Sequence, residues 1–188
     1  VVAREVAMTD GGMISASTTG PGLGGDVHLT SFDIRLKDGA LVTVQSQLTP
    51  YGSSVLGDGG DITILAGNQL KLSGWNPDTG DLTGLFSNST RFGNSGNVRL
   101  EAPQITVVDG ARISTSASFF GDAGNITIDA PDFLYLAGES GNGDISALYS
   151  SNRSRGSSGD ITITAGDVTF LDGAHIMAEA GTFGGRNG

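Results

Sequence analysis

Runs in which apolar and polar residues alternate recur along the whole chain, and each begins with a Gly-Asp/Asn-Ile/Val motif. The Asp or Asn of this motif stands at residues 26, 61, 97, 125 and 160, and a glycine follows thirteen residues after each of them. Alternation with a period of two is typical of a β-strand that buries one face. The constant length of the block indicates a single structural unit that repeats.

Three short strands are predicted in each repeat. Residues 62–64 (Ile-Thr-Ile) are typical of the first strand, residues 105–107 of the second, and residues 113–115, after an Asp-Gly corner, of the third. Strands that end at Gly, Asp-Gly or Pro predict a solenoid with a triangular cross-section. The expected fold is therefore all-β, a right-handed parallel β-helix (a three-sided β-solenoid) of about five full coils of 28–36 residues, with partial coils at both ends.

We expect residues 1–188 to be a single solenoid segment of a longer repeat protein, with coils that start near residues 26, 61, 97, 125 and 160. Equivalent side chains would stack from one coil to the next, about 4.8 Å apart. Extra residues precede the third strand in the second and fourth coils, at 75–80 and 139–143. Such insertions predict loops at one edge of the rod, where binding residues are often placed.

The composition narrows the choice of function. Glycine accounts for 31 residues, yet 37% of the chain is hydrophobic, which favours a fold with many tight turns over disorder. A net charge of −10 disfavours nucleic acid as a partner. No apolar run approaches the roughly 18 residues of a membrane-spanning helix, so membrane insertion is not expected. Cysteine is absent, so stability is expected to come from packing and not from disulfides.

The repeats resemble those of filamentous-haemagglutinin-type exoproteins. Residues 124–128 (Gly-Asn-Ile-Thr-Ile) and 107–114 (Val-Val-Asp-Gly-Ala-Arg-Ile-Ser) carry the resemblance, and Gly-Leu-Phe at 84–86 is similar to segments of large cyanobacterial members. The similarity covers essentially the whole chain. It implies a parallel β-solenoid that is exported by two-partner secretion and acts in adhesion, aggregation or sheath formation. The amino-terminal secretion domain of that family is not among these residues.

The Asp/Asn column offers the one candidate metal site. Stacked carboxylates would repel one another unless a cation lay between them, so Asp26, Asp61 and Asp160 are candidate Ca²⁺ ligands. The alternative, which the sequence favours, is that each side chain accepts N–H groups of the turn and that stacked Asn side chains form ladders. The outward threonines Thr63, Thr127 and Thr162 allow an ice-binding face, although Thr is also a common exposed strand residue.

Enzymes that cut polysaccharides also use parallel β-helices, so catalysis has to be considered. Such sites need clustered carboxylates in a groove. His28 and His175 are expected about four coils apart, and an intervening coil is expected to separate the acidic loop residues near Asp81 from those near Asp144. The sequence therefore predicts a protein that is not an enzyme, with no catalytic, cofactor-binding or resident metal-binding residues.

Exposed aromatic residues are the candidate contacts for a ligand or partner. Trp75, Tyr51, Phe119 and Phe120 could stack on carbohydrate or touch another protein. The alternative is that their rings cover small cores within the loops or the open edge of a sheet.

The expected function is that of a non-enzymatic structural and adhesive segment of a secreted surface protein, forming a rod or filament that displays loops. The alternative is an extracellular protein that binds or degrades polysaccharide. Expected partners are neighbouring repeats or further copies of the chain, end to end, with surface glycans as a further candidate. The expected location is extracellular or on the outer cell surface of a Gram-negative-type bacterium.

Overall fold

A computed structural model describes residues 1–19, 22–47, 57–90, 92–118 and 120–181 of the chain. Over these residues the strands form two parallel sheets of seven strands each. Sheet one contains β1 (Glu5–Met8), β4 (Val27–Lys37), β6 (Ile62–Ser73), β8 (Val98–Glu101), β9 (Gln104–Val108), β11 (Ile126–Ala137) and β13 (Ile161–Phe170). Sheet two contains β2 (Met13–Ser15), β3 (Thr18–Thr19), β5 (Leu41–Gln47), β7 (Gly84–Ser89), β10 (Arg112–Ala117), β12 (Ala147–Asn152) and β14 (His175–Ala180).

The chain passes from sheet one to sheet two and back again, and we call each such passage a layer. Every layer pairs in parallel with the layer before it. The register places the repeated motifs directly on one another, because Val27 pairs with Ile62, Ile62 with Val98, and Val98 with Ile126. The alignment of the repeats in the sequence is therefore the alignment of the strands in the structure.

The predicted three-sided solenoid is wrong, because the strands lie in two sheets and not in three. The first and second predicted strands run on as one strand in β4, β6, β11 and β13. In β11 the backbone shows only a shift of register after Ala130, and pairing with β13 resumes at Phe133. Only β8 and β9 are separate, on either side of Ala102 and Pro103. Both pair with β6 and with β11, so these four strands close into a small barrel-like circuit.

The core lies between the two sheets and consists of stacked Val, Ile and Leu side chains. Ile64, Leu72, Leu85 and Ile113 are representative, and at most 1% of each is exposed. Burying a side chain of this size stabilises a fold by roughly 1.5–3 kcal/mol. In the last layer the equivalent positions are more open, since Val168 and Ile176 lie on strands that have a neighbour on one side only.

Two kinds of glycine shape the corners, for different reasons. In the Asp-Gly corners both residues have positive φ, as at Asp109 (57°) and Gly110 (86°), which is the backbone of a tight turn between strands. The glycine before each Asp/Asn has no positive φ. Close packing explains glycine at these positions, because a Cβ on Gly96 would lie 2.1 Å from the carbonyl oxygen of Gly60 in the layer before.

Candidate binding face

The outer face of sheet two carries a column of side chains of alternating size. In register order the column contains Thr43, Phe86, Ser114, Tyr149 and Met177. These residues alternate with the inward side chains of the core, so they point away from sheet one. Ser114 lies between the two aromatic residues and is much smaller than either. The face therefore has a depression between Phe86 and Tyr149, which lie two strands apart.

Each of the two rings is held by its neighbours. The Phe86 ring lies over Gly84 of its own strand, where a Cβ would be 2.5 Å from Cε2 of the ring. The Arg112 guanidinium lies over the Tyr149 ring, 5.7 Å from its centroid, and forms an ion pair with Asp144 at 2.9 Å. Glycine at position 84 thus leaves room for one ring, and a paired arginine fixes the other.

Hydroxyl and amide groups form the floor between the rings. The hydroxyl of Ser114 is 2.8 Å from that of Ser116, which is in turn 3.2 Å from the hydroxyl of Ser151. The Asn88 side-chain oxygen accepts hydrogen bonds from the Ser116 backbone N–H and, at 3.3 Å, from the Ser114 hydroxyl. A short hydroxyl group has capacity both to donate and to accept, so this floor can exchange hydrogen bonds with a polar ligand.

The depression is one half of a trough along sheet two. The half between Phe86 and Met177 has a volume of about 570 Å³, and Arg112 and Arg153 stand at its sides. A second half, of about 600 Å³, lies on the other side of Phe86 and extends to Met13, with Asp81 at its side. We call the two halves together the sheet-two trough. The volume of each half is in the range of ligand-binding clefts.

One inserted loop borders this trough through residues 80–82, and the two inserted loops touch each other. Each loop is a small hairpin, closed by a bridge between Trp75 and Leu82 in one and between Glu139 and Ile145 in the other. A Cβ on Gly141 would lie 2.7 Å from Cζ2 of Trp75, so the indole crosses the intervening layer. The intervening layer therefore separates the coils of the two loops but does not keep the loops themselves apart. That layer turns with a short Asp-Gly corner, which leaves the space open.

The two predicted contact aromatics that the structure describes, Trp75 and Phe120, have different surroundings. Trp75 is half-buried and packs on the other inserted loop. Phe120 is 50% exposed, but its ring stacks on Phe92, with centroids 5.2 Å apart, and the Arg155 guanidinium lies over it at 5.3 Å. Tyr51 and Phe119 lie outside the described residues. Neither of the two described residues lines the sheet-two trough.

The Asp/Asn column forms a hydrogen-bonded ladder that runs through successive layers. Oδ1 of each side chain accepts the backbone N–H of the equivalent residue one layer further on, as from Asp26 to Asp61 (2.8 Å) and from Asp61 to Asn97 (2.6 Å). The ladder continues from Asn97 through Asn125 to Asp160. The side chains of the column thus accept backbone N–H groups, as the alternative to a Ca²⁺ site proposes. The N–H group belongs to the next layer, however, and not to the local turn.

A second ladder runs beside the first, and the sequence analysis missed it. It contains Asp58, Asn94 and Asp122, each of which accepts the N–H of the equivalent residue in the next layer.

Among the described residues no three His, Cys, Asp or Glu side chains are grouped so as to hold a metal ion. One carboxylate oxygen of Asp26 and of Asp61 is thus already occupied by a backbone donor. Asp160 ends the first ladder within the described part of the chain.

The groups weighed for catalysis are spread over the molecule. His28 is exposed on the outer face of sheet one, where it pairs in register with Thr63, whereas His175 is on β14 in sheet two. Asp81 accepts a hydrogen bond from the Thr79 hydroxyl at 2.7 Å, and Asp144 pairs with Arg112. The Asp81 carboxylate is therefore hydrogen-bonded within its own loop, and the Asp144 carboxylate is paired with an arginine of the neighbouring layer.

Among the described residues two titratable groups have a shifted pKa, and both lie on β4 of sheet one. A hydrogen bond from Asn68 is the main cause that lowers the pKa of Asp33, and Gln69 and Arg35 act in the same direction. Hydrogen bonding to Asp38 raises the pKa of Lys37. Neither residue lines the sheet-two trough.

Phe86 and Tyr149 are the candidate site residues that the sequence analysis did not single out. A signal for them was present, since residues 80–87 and 143–150 match position by position and place an aromatic residue at the same point of each. Without the register, nothing indicated that these two rings share a face with a serine between them.

No protein-family model, no curated protein and no solved structure matches the chain. The resemblance to filamentous-haemagglutinin-type repeats therefore stays a prediction from the sequence. No described segment forms a helix with the length and apolar character needed to cross a membrane.

Proposed function

We propose that the chain is a non-enzymatic structural and adhesive segment of a secreted surface protein. The observation that carries the proposal is the sheet-two trough, which crosses the layers of the stack. One of two inserted loops that brace each other borders it, through residues 80–82. A regular stack supplies stiffness, since every layer is hydrogen-bonded to its neighbours, and the trough supplies a surface for contact.

The chemistry of the lining supports contact more than cleavage. Its polar groups are mainly hydroxyls, amides and the two guanidinium groups of Arg112 and Arg153. Among the described residues that line the trough, Asp81 is the one carboxylate. Hydrolysis of a glycosidic bond usually takes a pair of carboxyl groups, one of them as the proton donor. The trough is therefore better suited to hold a ligand than to cut one.

Location and export belong to the same proposal. The support for them is the sequence, namely the absence of cysteine and the resemblance of the repeats to those of secreted exoproteins. In this account the chain works outside the cell or on the outer cell surface, together with neighbouring repeats or further copies of itself.

A bead assay tests the proposal. Beads that carry the covalently coupled chain are expected to attach to layers of bacterial cells or to one another, whereas beads that carry the same chain after irreversible unfolding are not. Attachment that is equal for both kinds of bead would contradict adhesion by the folded chain. Release of new reducing ends from a polysaccharide by the purified chain would contradict the non-enzymatic assignment.

A further inference from the structure

We propose that the sheet-two trough binds a neutral, extended, β-1,4-linked polysaccharide that runs along the stack, across the strands. This inference rests on the proposed function, because it names the ligand of the same adhesive surface. It is argued from the spacing of the rings, from the floor between them and from the charge of the site.

The spacing of the two rings suits such a chain. Phe86 and Tyr149 are two strands apart in register, which corresponds to roughly 9.6 Å at the usual distance between strands. An extended β-1,4-linked chain advances by about one strand spacing per sugar, and its alternate sugars are turned over. Every second sugar therefore presents the same face, and two rings two strands apart would meet equivalent faces.

The arrangement of side chains gives each sugar a partner. Aromatic faces stack on the C–H groups of a pyranose ring, and both rings are half-exposed and held in place by Gly84 and by Arg112. The sugar between them would lie over Ser114 and the neighbouring serines. Their hydroxyls are already connected to one another, so they can bind sugar hydroxyls with little additional ordering.

The charge of the site favours a neutral ligand over an acidic one. The Arg112 guanidinium is balanced by Asp144, which leaves Arg153 as the cation of this half of the trough that has no ion pair among the described residues. The chain as a whole carries a net charge of −10. The net charge of the chain would therefore repel a polyanion at long range, and a single arginine would offset only part of this repulsion. A neutral polysaccharide is not repelled.

Isothermal titration calorimetry with defined oligosaccharides tests the inference. The probe is a neutral β-1,4-linked gluco-hexaose, and the matched acidic probe is a hexamer of galacturonate. The neutral hexamer is expected to bind with an affinity that hardly changes between low and high salt, and the acidic hexamer is expected to bind at least about tenfold more weakly. Preference for the acidic hexamer, loss of binding in salt, or no binding of the neutral hexamer would each overturn the inference.

Substitutions locate the site. Phe86→Ala and Tyr149→Ala are each expected to weaken binding about tenfold, and Tyr149→Phe to keep most of it. Phe120→Ala is the matched control, because it removes a half-exposed ring outside the trough. If an alanine variant does not fold, Ser116→Tyr serves instead, since a bulky side chain on the floor should block the trough. Loss of binding in Phe120→Ala, or unchanged binding in the trough variants, would overturn the assignment.

Failure of this inference can be told apart from failure of the adhesive function. If the beads attach to cells but the free chain does not bind the neutral hexamer, the proposed ligand is wrong and the adhesive function stands. If the beads attach to nothing, the proposed adhesive function itself is contradicted.

Discussion

The Asp61 carboxylate accepts a hydrogen bond from the backbone N–H of Asn97, one layer further along the stack, at 2.6 Å. A side chain of one layer thus satisfies a backbone donor of the next, at a corner that strand pairing does not reach. The same contact recurs along the Asp/Asn column, so the column ties the layers together through their corners as well as through their sheets.

Removing one contact of this ladder should weaken the stack. Asp61→Ala is expected to lower the free energy of unfolding by about 1 kcal/mol, because the N–H of Asn97 loses its acceptor. Asp61→Asn keeps the acceptor oxygen and should stay close to the original stability. Asp78→Ala removes an exposed loop carboxylate and is the matched control. Urea unfolding measures all three, and equal losses in Asp61→Ala and Asp78→Ala would count against the ladder.

Calcium is expected to have no effect on stability. The Oδ1 atoms of Asp26 and Asp61 already accept backbone N–H groups, and N–H donors beside a carboxylate oppose a cation at the same oxygen. Thermal unfolding in excess Ca²⁺ and in excess chelator should give the same Tm. A higher Tm in Ca²⁺ that is abolished by Asp61→Asn would contradict this prediction and would show that Asp61 is a Ca²⁺ ligand.

Close approach between layers should make Gly96 much less tolerant than Gly143. A Cβ on Gly96 would overlap the carbonyl oxygen of Gly60, so Gly96→Ala is expected to cost about 3 kcal/mol or more, or to prevent folding. Gly143 has a φ of 83° but open space around it, so Gly143→Ala should cost only about 1–2 kcal/mol. Circular dichroism and urea unfolding compare them, and similar losses at both positions would contradict the packing argument.

Trp75 is the single tryptophan of the chain, so its fluorescence reports on the contact between the inserted loops. Gly141→Val places carbon atoms where the indole lies and should displace it, which shifts the emission to longer wavelength and increases quenching by acrylamide. Gly143→Val, in the same loop as Gly141 but with open space around it, controls for general disturbance of that loop. An emission spectrum that Gly141→Val leaves unchanged would mean that the two loops do not touch.

The Asp33 carboxylate should make a small, pH-dependent contribution to stability. Its pKa is lowered in the folded state, chiefly by the hydrogen bond from Asn68, so the contribution is present above the unfolded-state pKa and is lost as the pH falls through the folded-state pKa. Asn68→Ala should raise the pKa of Asp33 and reduce this dependence, whereas Thr63→Ala, on the same outer face, should not. Carboxyl carbon NMR titration measures the pKa directly.

The sequence was sufficient for the register but not for the number of sheets. Equivalent motifs such as those at Val27 and Ile62 align at fixed intervals, and stacking of like residues leaves them only one way to pair. The short apolar runs predict separate first and second strands in each repeat, yet after Ala130 the backbone shifts register and the strand continues. A small residue permits a bend, but it does not determine whether hydrogen bonding stops there.

The candidate site was harder to predict for a related reason. Phe86 and Tyr149 stand at matching points of two similar segments, but their importance depends on Ser114, which comes from a layer of different length between them. Trp75 was predicted to be an exposed contact residue because its loop was considered alone. Its packing on Gly141 depends on a gap that the short corner of the intervening layer leaves open.

Mapping the bound oligosaccharide by NMR tests the central claim most directly. The ¹⁵N-labelled chain is titrated with the neutral β-1,4-linked gluco-hexaose while the backbone amide signals are followed. The account predicts that the perturbed amides cluster on β7, β10 and β12, around Phe86, Ser114 and Tyr149. Perturbations confined to the inserted loops or to the Phe92–Phe120 stack, or none at saturating hexamer, would contradict it.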